Sequence, residues 1–165
     1  MLASDPWRYM EKKLKVKKGR EKMILKRFNL KNEVIVGRLL KGKDLILELT
    51  KICEENNVVN GIIEGIGALE YVTIGYYDQK NKEYIVNRIE KPMEVLSLKG
   101  NVSLKDNKPF IHAHIVLGDR KGEVFGGHLN EGSSVFAFEY CIIPFEKGFF
   151  VREYDKETSL YLWTM

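Results

Sequence analysis

The stretch Phe110-Ile111-His112-Ala113-His114-Ile115-Val116-Leu117-Gly118-Asp119-Arg120-Lys121-Gly122-Glu123-Val124-Phe125-Gly126-Gly127-His128-Leu129 holds all three histidines of this 165-residue chain. Ile111 to Leu117 reads as a strand, Gly118 to Gly122 as a turn, and Glu123 to Leu129 as the returning strand. Side chains two residues apart share one face of a strand, so His112 and His114 point the same way. A hairpin centred on Arg120 sets Gly118 opposite Gly122 and His112 opposite His128, and opposed residues also share a face. A register slip of one would turn His128 away, and Gly126-Gly127 is a place for such a bulge. Neutral imidazole is a common metal ligand. Three histidines leave one position of a tetrahedral site open, as catalytic zinc requires. The bland alternative is three half-buried histidines hydrogen-bonded to backbone or carboxylates.

Working outward, the same alternation continues. Strands are expected at Met23 to Leu30, Glu33 to Leu40, Gly61 to Leu69, Glu70 to Asp78, Glu83 to Glu90, Met93 to Leu104, Ser134 to Pro144, Phe149 to Tyr154 and Leu160 to Trp163. Gln79 to Lys82 and Lys105 to Lys108 read as hairpin turns. Asp44 to Asn56 is the one strong helix, with Leu45, Ile46, Leu49, Ile52 and Cys53 at helical spacing. The expectation is a mostly antiparallel sheet with one principal helix, an α+β fold. Gly61-Ile62-Ile63-Glu64-Gly65-Ile66-Gly67 sits in β-rich apolar sequence, where glycines mark close backbone packing rather than a phosphate cradle.

Length and composition agree with a single globular body: 44% of residues are hydrophobic and 30% charged. No apolar run approaches the roughly 20 residues a spanning helix needs. The N-terminus carries no apolar core of a secretory signal. Cys53 and Cys141 show no metal or redox spacing, so reduced core cysteines and a cytoplasmic location are expected. The net charge of +4 is unevenly placed. Residues 1–22 hold eight basic side chains, among them Lys12, Lys13, Lys15, Lys17, Lys18 and Arg20, against three acidic ones. The division is therefore a basic arm over 1–22 and a folded domain over 23–165. The body lacks the positive excess that sequence-independent DNA binding needs, so any phosphate contact belongs to the arm.

Four segments together resemble one family: Arg38 to Leu45, Gly61 to Leu69, Glu94 to Asn101, and the His-x-His to Gly-Gly-His-Leu stretch. They resemble the plants-and-prokaryotes conserved (PPC) domain, over roughly Met23 to Tyr154. The resemblance implies a homotrimer, a DNA-binding or transcription-associated role, and fold kinship with acetolactate decarboxylase, a three-histidine zinc enzyme. It carries the metal ligands over as His112, His114 and His128, holding zinc or another divalent transition metal. Arg38, Glu94 and Glu139 are the remaining candidates for chemistry, Arg38 to recognise a carboxylate and a glutamate to move protons. Each also reads as an ordinary surface charge. Plant members place an AT-hook before the domain. Lys17-Lys18-Gly19-Arg20-Glu21 lacks that motif's leading Arg and its Pro, so the arm offers phosphate contact without sequence reading.

Three functions compete on these residues: a trimer whose arms touch DNA with avidity, a metal-dependent enzyme acting on a small carbonyl or carboxylate compound, and a structural or interaction module.

Overall fold

The computed structural model describes residues 33–146 and 148–164. The basic arm and the expected strand Met23 to Leu30 lie outside the described residues. The described chain is one nine-stranded, almost wholly antiparallel sheet with a single helix, the expected α+β arrangement.

Strand β1 (Ile35–Leu39) leads into helix α1 (Leu45–Glu55). Asp44 caps the helix by accepting a hydrogen bond from the Leu47 amide at 3.1 Å. Its second carboxylate oxygen accepts from the amides of Gly132 (2.7 Å) and Ser133 (3.1 Å), tying the helix start to a distant loop. Leu45, Leu49 and Cys53 form the buried stripe, each wholly inaccessible. The helix stops at Asn56, and Asn57 turns the chain with φ 52°.

Strand β2 (Gly61–Asp78) is one 18-residue strand where the sequence suggested two. Irregularities between Ala68 and Tyr71 bend it without ending it. Its first half pairs with β4 (Met93–Lys105) and β7 (Ser134–Pro144). Its second half pairs with β3 (Glu83–Ile89) and β6 (Val124–Leu129). Because β4 also pairs with β5 (Lys108–Gly118) and β5 with β6, the pairings β2-β4-β5-β6-β2 close into a ring. Asp106 (φ 51°) and Asn107 (φ 60°) form the two-residue turn between β4 and β5. β8 (Val151–Asp155) and β9 (Leu160–Thr164) add a hairpin through the parallel contact Leu104–Val151.

The core gathers on the helix side: Ile63, Leu69, Leu98, Ile115, Leu117, Leu129, Phe138 and Ile142 join the helix stripe. Gly65 shows why the glycine-rich stretch is as it is. A Cβ there would strike the Phe138 ring and come within 2.7 Å of the Glu139 carbonyl. The stretch serves strand packing, as its sequence setting implied.

Candidate metal centre

With Ile111, Ala113, Ile115 and Leu117 in the core, strict alternation sends His112 and His114 to the opposite face of β5. His128 on β6 joins them. Ring centroids lie 5.0 Å apart for His112–His128, 5.2 Å for His112–His114 and 5.7 Å for His114–His128. One nitrogen from each falls within 4.8 Å of the others.

The register differs from the one expected. His128 stands opposite His114, not His112, and Gly118 stands opposite Val124. The turn is Arg120-Lys121-Gly122, closed by Asp119 N–H donating to Glu123 O (3.0 Å) and Gly122 N–H donating to Asp119 O (2.9 Å). Gly122 takes the left-handed φ of 82°, the three-residue hairpin form with a glycine at its final position. The Asp119 carboxylate locks it by accepting from the amides of Lys121 (2.8 Å) and Glu123 (3.0 Å). A shift of two residues preserves face, so the three histidines still converge. His112 then sits diagonally from His128.

Gly126-Gly127 makes the approach possible. β6 lies between β5 and the far half of β2, and a Cβ on Gly127 would fall 2.8 Å from the Gly75 carbonyl oxygen. The glycine pair is a packing device, not a bulge that turns His128 away.

The electrostatics suit neutral imidazoles. Burial, with smaller contributions from the Arg152 charge and the neighbouring histidines, holds His112 down at about 4. Burial, then His114 and Arg152, also lowers His128. The ligating form therefore prevails at neutral pH. His128 Nδ1 is buried without a hydrogen-bond partner, an orphan that a native interior rarely tolerates. Zinc–nitrogen bonds of about 2.0–2.1 Å bring ligand nitrogens roughly 3.4 Å apart, so the present spread closes with modest side-chain movement. The donor set fits a divalent transition metal.

A cavity of about 340 Å³ opens beside the histidines, lined in part by Tyr84, Lys105, His112, His128, Arg152 and Tyr161. Tyr84 lies against His128 with centroids 5.2 Å apart. Arg152 on β8 is 8% exposed and donates to Ser103 Oγ (2.8 Å), Tyr161 O (2.9 Å) and Asn101 Oδ1 (2.9 Å). Sequence reasoning missed Arg152, Lys105 and Tyr84. A single arginine in an alternating strand carries no motif, and its partners lie far away in the chain.

Arg38, Glu94 and Glu139 do come together, but elsewhere. They line a separate cleft of about 370 Å³ with Ile66, Gly67 and Leu96. Arg38 and Glu139 are direct cross-strand partners on β1 and β7. Glu94 stands five positions along β4 from Lys99, the partner of His114, or about 16 Å at ~3.3 Å per residue. Within one chain these three side chains are thus remote from the histidines. A larger cleft, about 590 Å³, includes Lys41, Glu70 and Asp119, but these charges are already engaged. Lys41 pairs with Glu70 at 3.2 Å and Lys91 with Asp119 at 2.7 Å. Lys12, Lys13, Lys15, Lys17, Lys18 and Arg20 lie outside the described residues.

Comparison with known proteins gives a consistent picture. The family described as the Plants and Prokaryotes Conserved (PCC) domain matches residues 28–146. A metal-containing protein from Archaeoglobus fulgidus is 42% identical, with TM-score 0.80 over 86% of this chain and all of that one. A plant- and prokaryote-conserved protein from Pyrococcus horikoshii is 37% identical, with TM-score 0.80 over 87% of this chain and 98% of that one. A Bacteroides thetaiotaomicron protein with a provisional DNA-binding description shares the fold at 23% identity and TM-score 0.74, over 83% of this chain and 96% of that one. The bifunctional protein GlmU of a Synechococcus strain is 27% identical over 124 residues, 74% of this chain. The chain spans only 18% of that curated relative's length.

Proposed function

The chain belongs to the Plants and Prokaryotes Conserved domain family, and from that premise we propose that it is a metal-binding member acting on a small molecule. His112, His114 and His128 hold one divalent transition metal per chain, zinc first. The observation that carries this is the convergence of three imidazoles, one with an orphaned buried nitrogen, on the rim of a cavity. The 42%-identical archaeal relative being a metal-containing protein supports it. A zinc ion on three histidines supplies Lewis acidity and a bound water of pKa near ~7. The chain's own part is to keep His112 and His128 neutral through burial and to present Arg152 beside the open position. Kinship with acetolactate decarboxylase, implied by the sequence resemblance, would suit such chemistry on a carbonyl or carboxylate compound, although shared fold alone transfers no activity.

Assembly is part of the same proposal. The outward sheet face exposes Val36 (71%), Ile66 (57%), Leu96 (53%) and Phe136 (54%). Apolar surface of this kind marks an association site, and a homotrimer is the state the family resemblance implies. Light scattering of the full chain tests it: a trimer mass is expected, and a Leu96→Glu variant should dissociate. No helix among the described residues is long and apolar enough to cross a membrane. The free thiols Cys53 and Cys141 support a reducing, cytoplasmic setting.

DNA binding is the second reading, favoured by one observation, the eight basic side chains against three acidic ones in residues 1–22. Three such arms on a trimer would bind phosphate with avidity. Deleting 1–22 and measuring DNA affinity against salt separates the readings. Arm-dependent binding with a steep salt slope supports DNA as a partner, whereas a flat response leaves the small-molecule site as the function.

The metal assignment is tested by elemental analysis of untagged protein purified without chelator, beside a His112→Ala/His128→Ala double variant. Near-stoichiometric metal lost in the variant supports it. Metal-free protein that also refuses added zinc returns the histidines to ordinary packing.

A further inference from the structure

Arg152 is a buried charge without a counter-ion among the described residues. At 8% exposure it makes no ion pair within 4 Å among the described residues, and its three hydrogen-bond acceptors are a hydroxyl, an amide oxygen and a backbone carbonyl. A guanidinium has five N–H donors, so two find no acceptor among the described residues. Burying such a charge is costly unless something negative meets it. The surroundings make the imbalance larger. Lys105 Nζ lies on the same cavity wall, 3.8 Å from the Tyr161 ring centre, and among the described residues it too has no carboxylate partner. No Asp or Glu among the described residues lines the cavity. Two fixed positive charges therefore face a confined space beside the histidine cluster. A divalent ion on those histidines would add two more charges.

We propose that this cavity is a binding site for a small oxyanion-bearing molecule, a carboxylate or phosphate compound, whose negative group is gripped by Arg152 and Lys105 while its other end reaches the histidine centre. The metal contact rests on the reading given above; the arginine–lysine grip does not. The cavity volume of about 340 Å³ lies at the small end of ligand pockets and suits a compact metabolite rather than a polymer. Tyr84, Phe110 and Tyr161 supply flat walls. Tyr161 and Lys105 share the cation–π contact that holds the lysine over the cavity. Arg152 also lies beyond residues 28–146, the stretch that carries the family match. The grip thus joins Arg152 of the β8–β9 hairpin to Lys105 at the end of β4.

Calorimetric titration of the full chain with malonate, inorganic phosphate and the neutral malonamide tests this, using chelator-stripped and zinc-loaded protein. The expected result is binding of malonate or phosphate, whichever the site prefers, with malonamide at least tenfold weaker. Lys105→Met should weaken the anion at least tenfold without loss of fold, because the Lys105 side chain makes no hydrogen bond among the described residues and its place in the β4–β5 ladder is held by backbone. Arg152→Gln should weaken it further, and Arg152→Lys, which keeps the charge, should recover part of the affinity. Anion binding to stripped protein that takes up no zinc would uphold the grip while refuting the metal reading. Zinc uptake with no anion binding in either form would overturn the grip alone. Equal affinity for malonate and malonamide, or an unchanged Lys105→Met variant, would also overturn it.

Discussion

Replacing Gly127 by alanine probes how the fold sets the histidine geometry without touching a ligand. The added Cβ would sit 2.8 Å from the Gly75 carbonyl oxygen and 3.3 Å from the Ile74 Cβ. Ordinary contact begins near 3.4 Å, so β6 must retreat from β2 by about 0.6 Å, and β5 on its other side resists that movement. Overpacking of this kind costs about 1–3 kcal/mol. The displacement carries His128 with it, and sites of this kind tolerate only about 0.5 Å of misplacement. Zinc affinity should therefore fall about 10–100-fold, the range seen when support around a metal ligand is removed. Urea denaturation in chelator reads the first quantity and competitive zinc titration the second. Val124→Ala, at a 65%-exposed position of the same strand, serves as the control and should change neither. If Gly127→Ala matched wild type in both stability and zinc affinity, the glycine pair would not be the packing device described here.

Two further outcomes are expected. Asp44→Ala removes the helix cap and the acceptor for Gly132 and Ser133 together, and should cost about 2–4 kcal/mol in urea denaturation. The hydrogen bond from Lys91 leads the effects that hold Asp119 at about 2. Because its folded value lies below the ordinary 3.8, its stabilising contribution is complete above about pH 4 and is lost as pH falls through 2. Acid titrations of unfolding free energy should accordingly show a steeper fall between pH 4 and 2 in wild type than in Asp119→Asn.

The histidine cluster was legible because period-two alternation is insensitive to an even shift. His112, His114 and His128 share a face whether the hairpin turns at Arg120 or at Lys121. The turn itself was misjudged because the Asp119 side-chain bonds and the left-handed Gly122 move the closing pair one residue along the chain, to Asp119 and Glu123, an effect that strand propensity does not register. Helix α1 was legible from its buried stripe and from Asp44 as cap. The continuity of β2 was not, since Glu70 sits at an irregularity that resembles a strand boundary. Arg38, Glu94 and Glu139 were visible as residues, but their meeting depends on β1 pairing with β7, β7 with β2 and β2 with β4. Arg152 was invisible for a related reason. Its partners Asn101 and Ser103 lie on β4, and only the parallel contact of β8 with that strand brings them within reach.

The measurement that bears most directly on the account is a zinc titration of chelator-stripped full-length protein beside the His112→Ala/His128→Ala variant, followed by calorimetry and circular dichroism. One zinc per chain in the wild type, with binding abolished in a variant that keeps its sheet, is the predicted result. Equal zinc uptake by both proteins, or none by either, would contradict a metal centre built on these histidines.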